Sequence, residues 1–248
     1  MATQGTKTTK SAARPKGSSA GGSATNKGAD PELRVKILDA FVAHMTEEGQ
    51  APRSVAKFCR ELGITEVVFY RHFPSIQAVE KAFWRHWIAG VIEAVESGAE
   101  WAEFTARERY LAFLFALIQS AAERRSLLLE RFHEISPLGN PAALEGVRAE
   151  FLEFARRLVD QGIASGEIAE RRGLTNVYPG VLYAHLRWVI DHYLKDESEE
   201  FERTDAFIEK TVTLAFDLFR TQAIDSAADL LRFLLPGNSW WSHLGKGK

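Results

Sequence analysis

From Pro31 to Leu235, apolar residues recur at spacings of three and four, which is the period of helices with one buried face. No stretch of useful length alternates between apolar and polar residues as a half-buried strand would. Glycines, prolines and short polar clusters end each apolar segment. The predicted helices cover residues 31–48, 54–62, 65–73, 75–97, 106–123, 127–135, 142–165, 174–194, 204–221 and 225–235. The sequence therefore predicts an all-α fold.

The stretch from Ser54 to Val79 has the pattern of a helix-turn-helix. Ser54 and Thr65 have side chains that cap helix N-termini, and each precedes a short segment with apolar residues on one face. Gly63 lies where the first segment must turn, because glycine adopts the left-handed conformation at little steric cost. Pro74 ends the second segment before a longer helix begins. We expect two short helices that cross closely and lead into a third.

The end of the second segment, Phe69-Tyr70-Arg71-His72-Phe73-Pro74-Ser75, resembles the end of the recognition helix in the TetR family of bacterial regulators. Ile37-Leu38-Asp39-Ala40 and Gly49 are similar to the first helix of that family's DNA-binding head and its terminating glycine. The resemblance implies a three-helix DNA-binding head over residues 30–76. It implies that Tyr70 and His72 contact DNA phosphates and that neighbouring residues read base edges. The implied DNA-binding residues are Ser54, Thr65, Glu66, Val67, Tyr70, Arg71 and His72.

Three residues of this segment depart from the family pattern. The family usually has glycine at the position of Val67 and often lysine at that of Ile76. Glu66 places a carboxylate where DNA phosphate would repel it, although the same group can accept a hydrogen bond from cytosine. The residues from Leu194 to Phe233 are also similar to TetR-fold lipid-binding proteins of ubiquinone biosynthesis. These observations favour an alternative function, in which the scaffold binds a lipid, an isoprenoid or a protein partner and binds DNA only weakly.

Positive charge is concentrated in the N-terminal part of the chain. Residues 1–29 contain five basic and no acidic side chains and no aromatic residue, which predicts a disordered basic tail. Residues 31–90 contain 8 basic and 7 acidic side chains, whereas residues 91–248 contain 18 basic and 25 acidic side chains. Binding to DNA phosphates requires positive charge near the helix-turn-helix, and the net charge of this N-terminal part of the chain is positive.

Residues 77–236 are predicted to form a larger helical body, followed by a C-terminal tail at 237–248 that contains Trp240 and Trp241. The body helices are rich in aromatic residues, and the bodies of TetR-family regulators sense small molecules. The resemblance therefore implies a site for a small apolar or aromatic ligand. The candidate ligand-binding residues are Phe113, Phe132, Phe154, Tyr183 and Trp188. Each of them, taken singly, is also explained by packing in the core.

Two of the last helices carry broad apolar faces, and the sequence leaves open whether these faces form an intramolecular core or an assembly surface. In the TetR family, two such helices from each subunit form a dimer interface, so the resemblance implies a homodimer. A two-fold dimer would place two recognition helices about 34 Å apart, as a palindromic DNA site requires. The faces comprise Tyr183, Leu186, Val189, Ile190 and Tyr193, and then Phe207, Ile208, Val212, Ala215, Phe216 and Phe219.

The sequence contains no motif typical of an enzyme, such as a glycine-rich phosphate loop, a nucleophile elbow or a metalloprotease pattern. His185 and His192 lie seven residues apart on one predicted helix, about 10 Å along its axis, which is too far to share a metal ion. A single cysteine, Cys59, excludes an internal disulfide, and no apolar run is long enough to span a membrane. We therefore predict a cytoplasmic, ligand-responsive DNA-binding repressor that is not an enzyme and uses no cofactor or metal.

Overall fold

The computed structural model describes residues 1–2, 30–132, 142–171 and 175–221, and within these ranges every regular element is helical. The N-terminal head contains α1 (Pro31–Glu48), α2 (Val55–Leu62) and α3 (Glu66–His72). The prediction of an all-α fold is confirmed. The body contains α4 (Ile76–Glu96), α5 (Ala106–Ala122), α6 (Arg125–Phe132), α7 (Ala142–Ala164), α8 (Tyr178–Leu194) and α9 (Glu202–Arg220), with 3-10 turns at Thr175–Val177 and Glu199–Phe201.

The first four helices begin at capping residues. Side-chain oxygens of Asp30, Ser54, Thr65 and Ser75 each accept a hydrogen bond from a backbone N–H in the first turn of the helix that follows. After α2, Gly63 has a φ of 70°, a left-handed conformation that glycine adopts without strain. The local sequence therefore sets where the helices of the head begin and where α2 turns into α3.

An aromatic core holds the head together and joins it to α4. Phe69 of α3 contacts Phe58 of α2 and its own neighbour Phe73, with ring centroids 6.3 Å apart in both pairs. Phe41 of α1 contacts Phe83 of α4 with centroids 6.5 Å apart. All five rings are buried, and burying each one stabilises the fold by about 1.5–3 kcal/mol relative to exposing it. The recognition helix α3 is thus held by apolar packing on one side.

Helix α4 runs from the head into the body and packs closely against α7. Gly146 of α7 lies directly on the α4 backbone, where a Cβ would clash with the carbonyl oxygen of Lys81. Two ion pairs flank this crossing, with Lys81 Nζ 3.1 Å from Glu145 and Arg85 Nε 2.8 Å from Glu150. These two cations of α4 therefore face carboxylates of α7 rather than DNA.

Helix α6 connects α4 to the end of α8 through an arginine at each of its ends. Arg131 donates from Nε and Nη2 to the buried carboxylate of Glu80 on α4, both at 2.8 Å. Arg125 donates to the backbone oxygens of Tyr193 and Asp196, both at 3.0 Å. A shift of α6 would therefore be transmitted to α4, the helix that carries the head.

Three helices of the body begin two or more residues away from the predicted start, and α6 does so at Arg125 rather than Leu127. Helix α8 begins at Tyr178 because Pro179, which has no N–H, fits only in a first turn, and a 3-10 turn precedes it. Helix α9 begins at Glu202, directly after Glu200 and Phe201, which both have positive φ. Neither N-cap residue, Val177 for α8 and Phe201 for α9, accepts a hydrogen bond with its side chain, so the sequence offers no local capping signal there.

Several predicted segments lie outside the described residues. They are residues 3–29 of the basic tail, the end of the helix predicted at 127–135, the helix predicted at 225–235, and the C-terminal tail with Trp240 and Trp241.

Candidate nucleic-acid interface and body cavities

Helix α3 buries one side in the head and exposes the other. Phe69 and Phe73 point into the core, whereas Val67 is 65% exposed and Tyr70 is 52% exposed. The helical period thus places most of the predicted DNA-contacting residues on the solvent side of the head. The exposed members of the predicted set are Ser54, Thr65, Glu66, Val67, Tyr70 and Arg71.

The end of α3 is fixed to α1 by an arginine. Arg34 donates from Nη1 to the backbone oxygen of His72 at 3.0 Å, and its guanidinium lies 4.2 Å from the ring centroid of Phe73. The side chain of His72 is half-buried, and its buried Nδ1 has no hydrogen-bond partner among the described residues.

Ser54 accepts a hydrogen bond from the backbone N–H of Lys57 at 3.3 Å, so its hydroxyl oxygen acts as the cap of α2.

The outer side of α3 has mixed charge. Arg71 is exposed near the end of the helix and Glu66 is exposed at its start. Burial raises the pKa of the Cys59 thiol on the adjacent helix, and the nearby carboxylate of Glu66 raises it further. Cys59 is therefore a neutral packing residue at the crossing of α2 and α3.

The structure brings only some of the predicted ligand-binding residues together. Phe113 and Phe154 are buried and in contact, with ring centroids 4.9 Å apart, and Tyr183 joins them through Phe151. Phe132 is buried elsewhere, against Trp84 of α4. Trp188 is 57% exposed on the outer side of α8. The five predicted residues therefore do not line one common cavity. Phe113, Phe154 and Tyr183 belong to a packed aromatic cluster, and Trp188 borders a surface groove.

The outer side of α8 and α9 forms an apolar groove of about 590 Å³. Its exposed apolar side chains are Val181, Trp188, Leu214 and Leu218, which are between 40% and 59% exposed. Most residues that the sequence offered as a possible assembly face point instead into the core, so for them the intramolecular alternative holds. Those buried residues are Tyr183, Leu186, Val189, Ile190, Tyr193, Ile208, Val212, Phe216 and Phe219.

His185 lies at the floor of this groove in a hydrogen-bonded chain. Its Nδ1 is 2.9 Å from the hydroxyl of the fully buried Tyr110, and its Nε2 is 2.7 Å from the hydroxyl of Thr211. Burial lowers the pKa of His185 to about 4. Its ring is therefore neutral near pH 7. Among the residues that the structure describes, no group of three or more side chains is arranged to hold a metal ion.

A second cavity, of about 340 Å³, lies where the ends of α4, α5 and α7 meet, and we call it the end cavity. Trp101 and Phe154 form its aromatic walls, and Arg109 and Arg157 supply its positive charges. The sequence did not single out Trp101 or Arg109. The sequence signal for this site was weak, because Trp101 lies in the α4–α5 connection and Arg109 lies on the following helix, and their contact follows no helical spacing. The remaining lining residues are Glu96, Leu158 and Gln161.

Within the parts of the chain that the structure describes, no helix has the length and hydropathy to cross a membrane.

The sequence model of a family described as tetracyclin repressor-like, C-terminal domain, matches residues 109–234, which is half of the 248 residues. No curated protein matches the sequence. A similar fold occurs in a protein with unknown function from Rhodococcus sp. RHA1, at 20% identity and a TM-score of 0.52, over 76% of this chain and 96% of that chain.

Two similar solved structures bear the family name in their descriptions. A bacterial regulatory protein in the tetR family from Rhodococcus RHA1 is 14% identical over 77% of this chain and 98% of that chain, with a TM-score of 0.46. A transcriptional regulator of the TetR/AcrR family from Thermobifida fusca YX-ER1 is 18% identical over 77% of this chain and all of that chain (100%), with a TM-score of 0.46. By the match to the tetracyclin repressor-like C-terminal domain, this chain belongs to the TetR family of transcriptional regulators.

Proposed function

We propose that the protein is a cytoplasmic, ligand-responsive repressor that binds a palindromic operator as a homodimer. Residues 30–76 form the DNA-binding head, and residues 77–236 form the ligand-binding and dimerisation body. The observation that carries the proposal is the outer side of α3, where Val67 and Tyr70 stand exposed although Phe69 of the same helix is fully buried in the head. A short helix that is firmly packed and presents large side chains to solvent is suited to entering a DNA groove.

Homodimerisation is supported by the groove on α8 and α9. Its four large exposed apolar side chains lie on two neighbouring helices, and a surface of this kind marks a contact site in a soluble protein. On the floor of the groove, the ring of His185 and the hydroxyl of Thr211 are hydrogen-bonded to each other. Apolar side chains of a partner could therefore cover the groove without leaving either polar group unsatisfied. A second copy of the same surface would cover both grooves in a two-fold interface.

Ligand response would follow from a shift between two arrangements of the body. The ligand favours one arrangement, and DNA favours the other, so each weakens the binding of its counterpart by the same coupling free energy. The pairing of Arg131 with Glu80 provides a physical link, because it ties α6 to the helix that continues directly from the head. Couplings of this kind are typically about 1–3 kcal/mol.

The test is binding of the full chain to the duplex upstream of its own gene and to a scrambled duplex, at two salt concentrations. We expect selective binding to the first duplex that weakens steeply as salt rises, because counterions are released from the phosphates. Tyr70→Phe removes one hydroxyl and should weaken binding to both duplexes by about threefold to tenfold, as loss of a phosphate hydrogen bond would. Arg71→Ala should change the preference between duplexes.

Ser97→Ala is the matched control, because it removes an exposed hydroxyl just beyond the far end of α4 and should leave affinity unchanged. Failure of the wild-type protein to prefer any duplex would overturn the repressor function. That result would favour the alternative in which the body binds a lipid, an isoprenoid or a protein partner. The exposed carboxylate of Glu66 on the outer side of α3 is the observation that keeps this alternative in view.

A further inference from the structure

Among the residues that the structure describes, the positive charge of the end cavity has no carboxylate partner. Arg109 is half-buried and directs its Nη groups to two neutral acceptors, the backbone oxygen of Ala102 at 3.1 Å and the side-chain oxygen of Gln161. Its Nε is buried and has no hydrogen-bond partner in the described parts of the chain. A half-buried guanidinium without a counter-ion is unfavourable, since it has lost part of its hydration and gained no opposite charge.

The other two charged groups of the cavity neutralise each other. Arg157 donates from Nη2 to the carboxylate of Glu96 at 2.7 Å. With this pair formed, the lining of the cavity keeps one net positive charge, on Arg109. The electrostatic complement of the cavity is therefore a monoanion.

The walls of the cavity are aromatic and restrict the shape of what fits. The rings of Trp101 and Phe154 lie with centroids 6.3 Å apart, and the guanidinium of Arg109 lies 5.0 Å from the Trp101 ring. Flat side chains of this kind favour a planar, apolar ligand through stacking and edge contacts. The volume of about 340 Å³ is near the lower end of the range for small-molecule sites, roughly 300–1,000 Å³.

From these observations we infer that the end cavity is the effector site and that its ligand is a small planar aromatic carboxylate. The ligand carboxylate accepts hydrogen bonds from Arg109, and its ring packs against Trp101 and Phe154. This assignment rests on the proposed ligand-responsive function and specifies the chemical class of the effector. The inferred site therefore lies in the open space beside the packed aromatic cluster and not within the cluster. Phe154 belongs to both the cluster and the cavity lining.

The position of the cavity connects it to the head through one continuous helix. Glu96 is the last residue of α4, which has 21 residues and is therefore about 30 Å long. The first residue of α4, Ile76, is buried at the base of the head, four residues after α3 ends. Because Glu96 lines the cavity, a ligand bound there lies directly against the far end of the helix that carries the head.

The experiment is calorimetric titration of the full chain with 1-naphthoate and with its neutral analogue 1-naphthamide. We expect saturable binding of the naphthoate at least about tenfold tighter than that of the amide, because an ion-paired hydrogen bond exists only for the carboxylate. Arg109→Gln should reduce naphthoate affinity to the level of the amide, and Arg109→Lys should retain part of it. Arg107→Gln is the control, since Arg107 is exposed on the same helix and does not line the cavity.

Equal affinities for naphthoate and naphthamide, unchanged naphthoate affinity in Arg109→Gln, or no saturable naphthoate binding would each overturn the assignment. The comparison of the two ligands uses the wild-type chain, so it remains decisive if Arg109→Gln does not fold. The titration contains no DNA, so its failure is separate from failure of the operator-binding test. A regulator that binds its operator and ignores the naphthoate would keep the proposed function and lose this site.

Discussion

His185 shows what one buried titratable side chain does to the stability of this fold. The pKa of His185 is lowered from 6.5 to about 4 by burial, so the folded protein takes up its proton at a lower pH than the unfolded chain does. Stability should therefore fall as pH decreases from about 6.5 towards 4, because only the unfolded state gains a proton in that window. At pH 5 the expected loss is about 2 kcal/mol relative to pH 7. The measurement is urea unfolding of the wild-type protein at both pH values.

The control is His185→Gln, which keeps a polar side chain beside Tyr110 and Thr211 and removes the titration. The other histidines are present in both proteins and cancel in the comparison. Burial acts to raise the pKa of Asp196, but hydrogen bonds from Ser198 and Thr204 outweigh it and hold the pKa well below its usual range. The stability that Asp196 contributes is therefore lost only below about pH 4. Equal pH dependence of the two proteins between pH 7 and 5 would contradict the prediction.

The sequence shows which residue types each helix contains, but it predicts less well the direction in which each side chain points. Helix α8 is apolar on most of its surface, so periodicity alone could not decide that Tyr183 faces the core while Trp188 faces solvent. At α3 the pattern was clearer, because the residues between Phe69 and Phe73 are Tyr70, Arg71 and His72, and both phenylalanines lie in the core. The partner of Arg109 could not be predicted, since its contacts with Ala102 and Gln161 depend on how three elements meet.

At the scale of elements, Gly146 determines how closely α7 approaches α4. A Cβ at this position would clash with the carbonyl oxygen of Lys81 and would lie 3.1 Å from the backbone nitrogen of Arg85. Gly146→Ala should therefore destabilise the fold by about 1–3 kcal/mol, because overpacking between the two helices exceeds the higher helix propensity of alanine. The free energy of unfolding, measured with urea, tests this prediction.

Gly90 provides a matched control on the other helix of the pair. It lies within α4, it is exposed, and an added Cβ would meet nothing within 4 Å. Gly90→Ala should stabilise the protein by about 0.5–1 kcal/mol, since alanine favours the helix. The two glycine substitutions are thus expected to have opposite signs. A gain in stability from both would show that α4 and α7 are not in close contact at Gly146.

Helix starts were predictable where a capping side chain is encoded locally. Ser54, Thr65 and Ser75 each begin their helix by accepting a backbone hydrogen bond, and this capping signal is present in the local sequence. The start of α9 was not predictable from neighbours in sequence. Asp196 accepts from the backbone N–H of Thr204 across eight positions, and the turn between them contains two residues with positive φ. Such a turn depends on tertiary contacts as much as on the local residues.

At the scale of the whole molecule, the fold class could be predicted and the proposed contact surface could not. Helical periodicity together with the helix-turn-helix pattern was enough to indicate an all-α chain with a head and a body. The apolar faces of α8 and α9 were visible in the sequence, but two opposite sides of each helix are apolar. Folding of a single chain uses one side, and the other side, with Leu214 and Leu218, remains exposed. Only the packed structure separates the two.

The exposed side of α8 and α9 yields a prediction about assembly. Leu218 is 40% exposed in the groove, and Leu129 on α6 is also 40% exposed but does not line it. Leu218→Glu should convert the proposed homodimer to a monomer, because the two-fold interface would bury two unpaired carboxylates, whereas Leu129→Glu should remain dimeric. Sedimentation at micromolar concentration distinguishes the two variants. A monomeric Leu218→Glu should also lose affinity for a palindromic duplex and retain the weaker affinity for a half-site, because only a dimer joins two heads. Dimers of equal stability in both variants would exclude this groove as the interface.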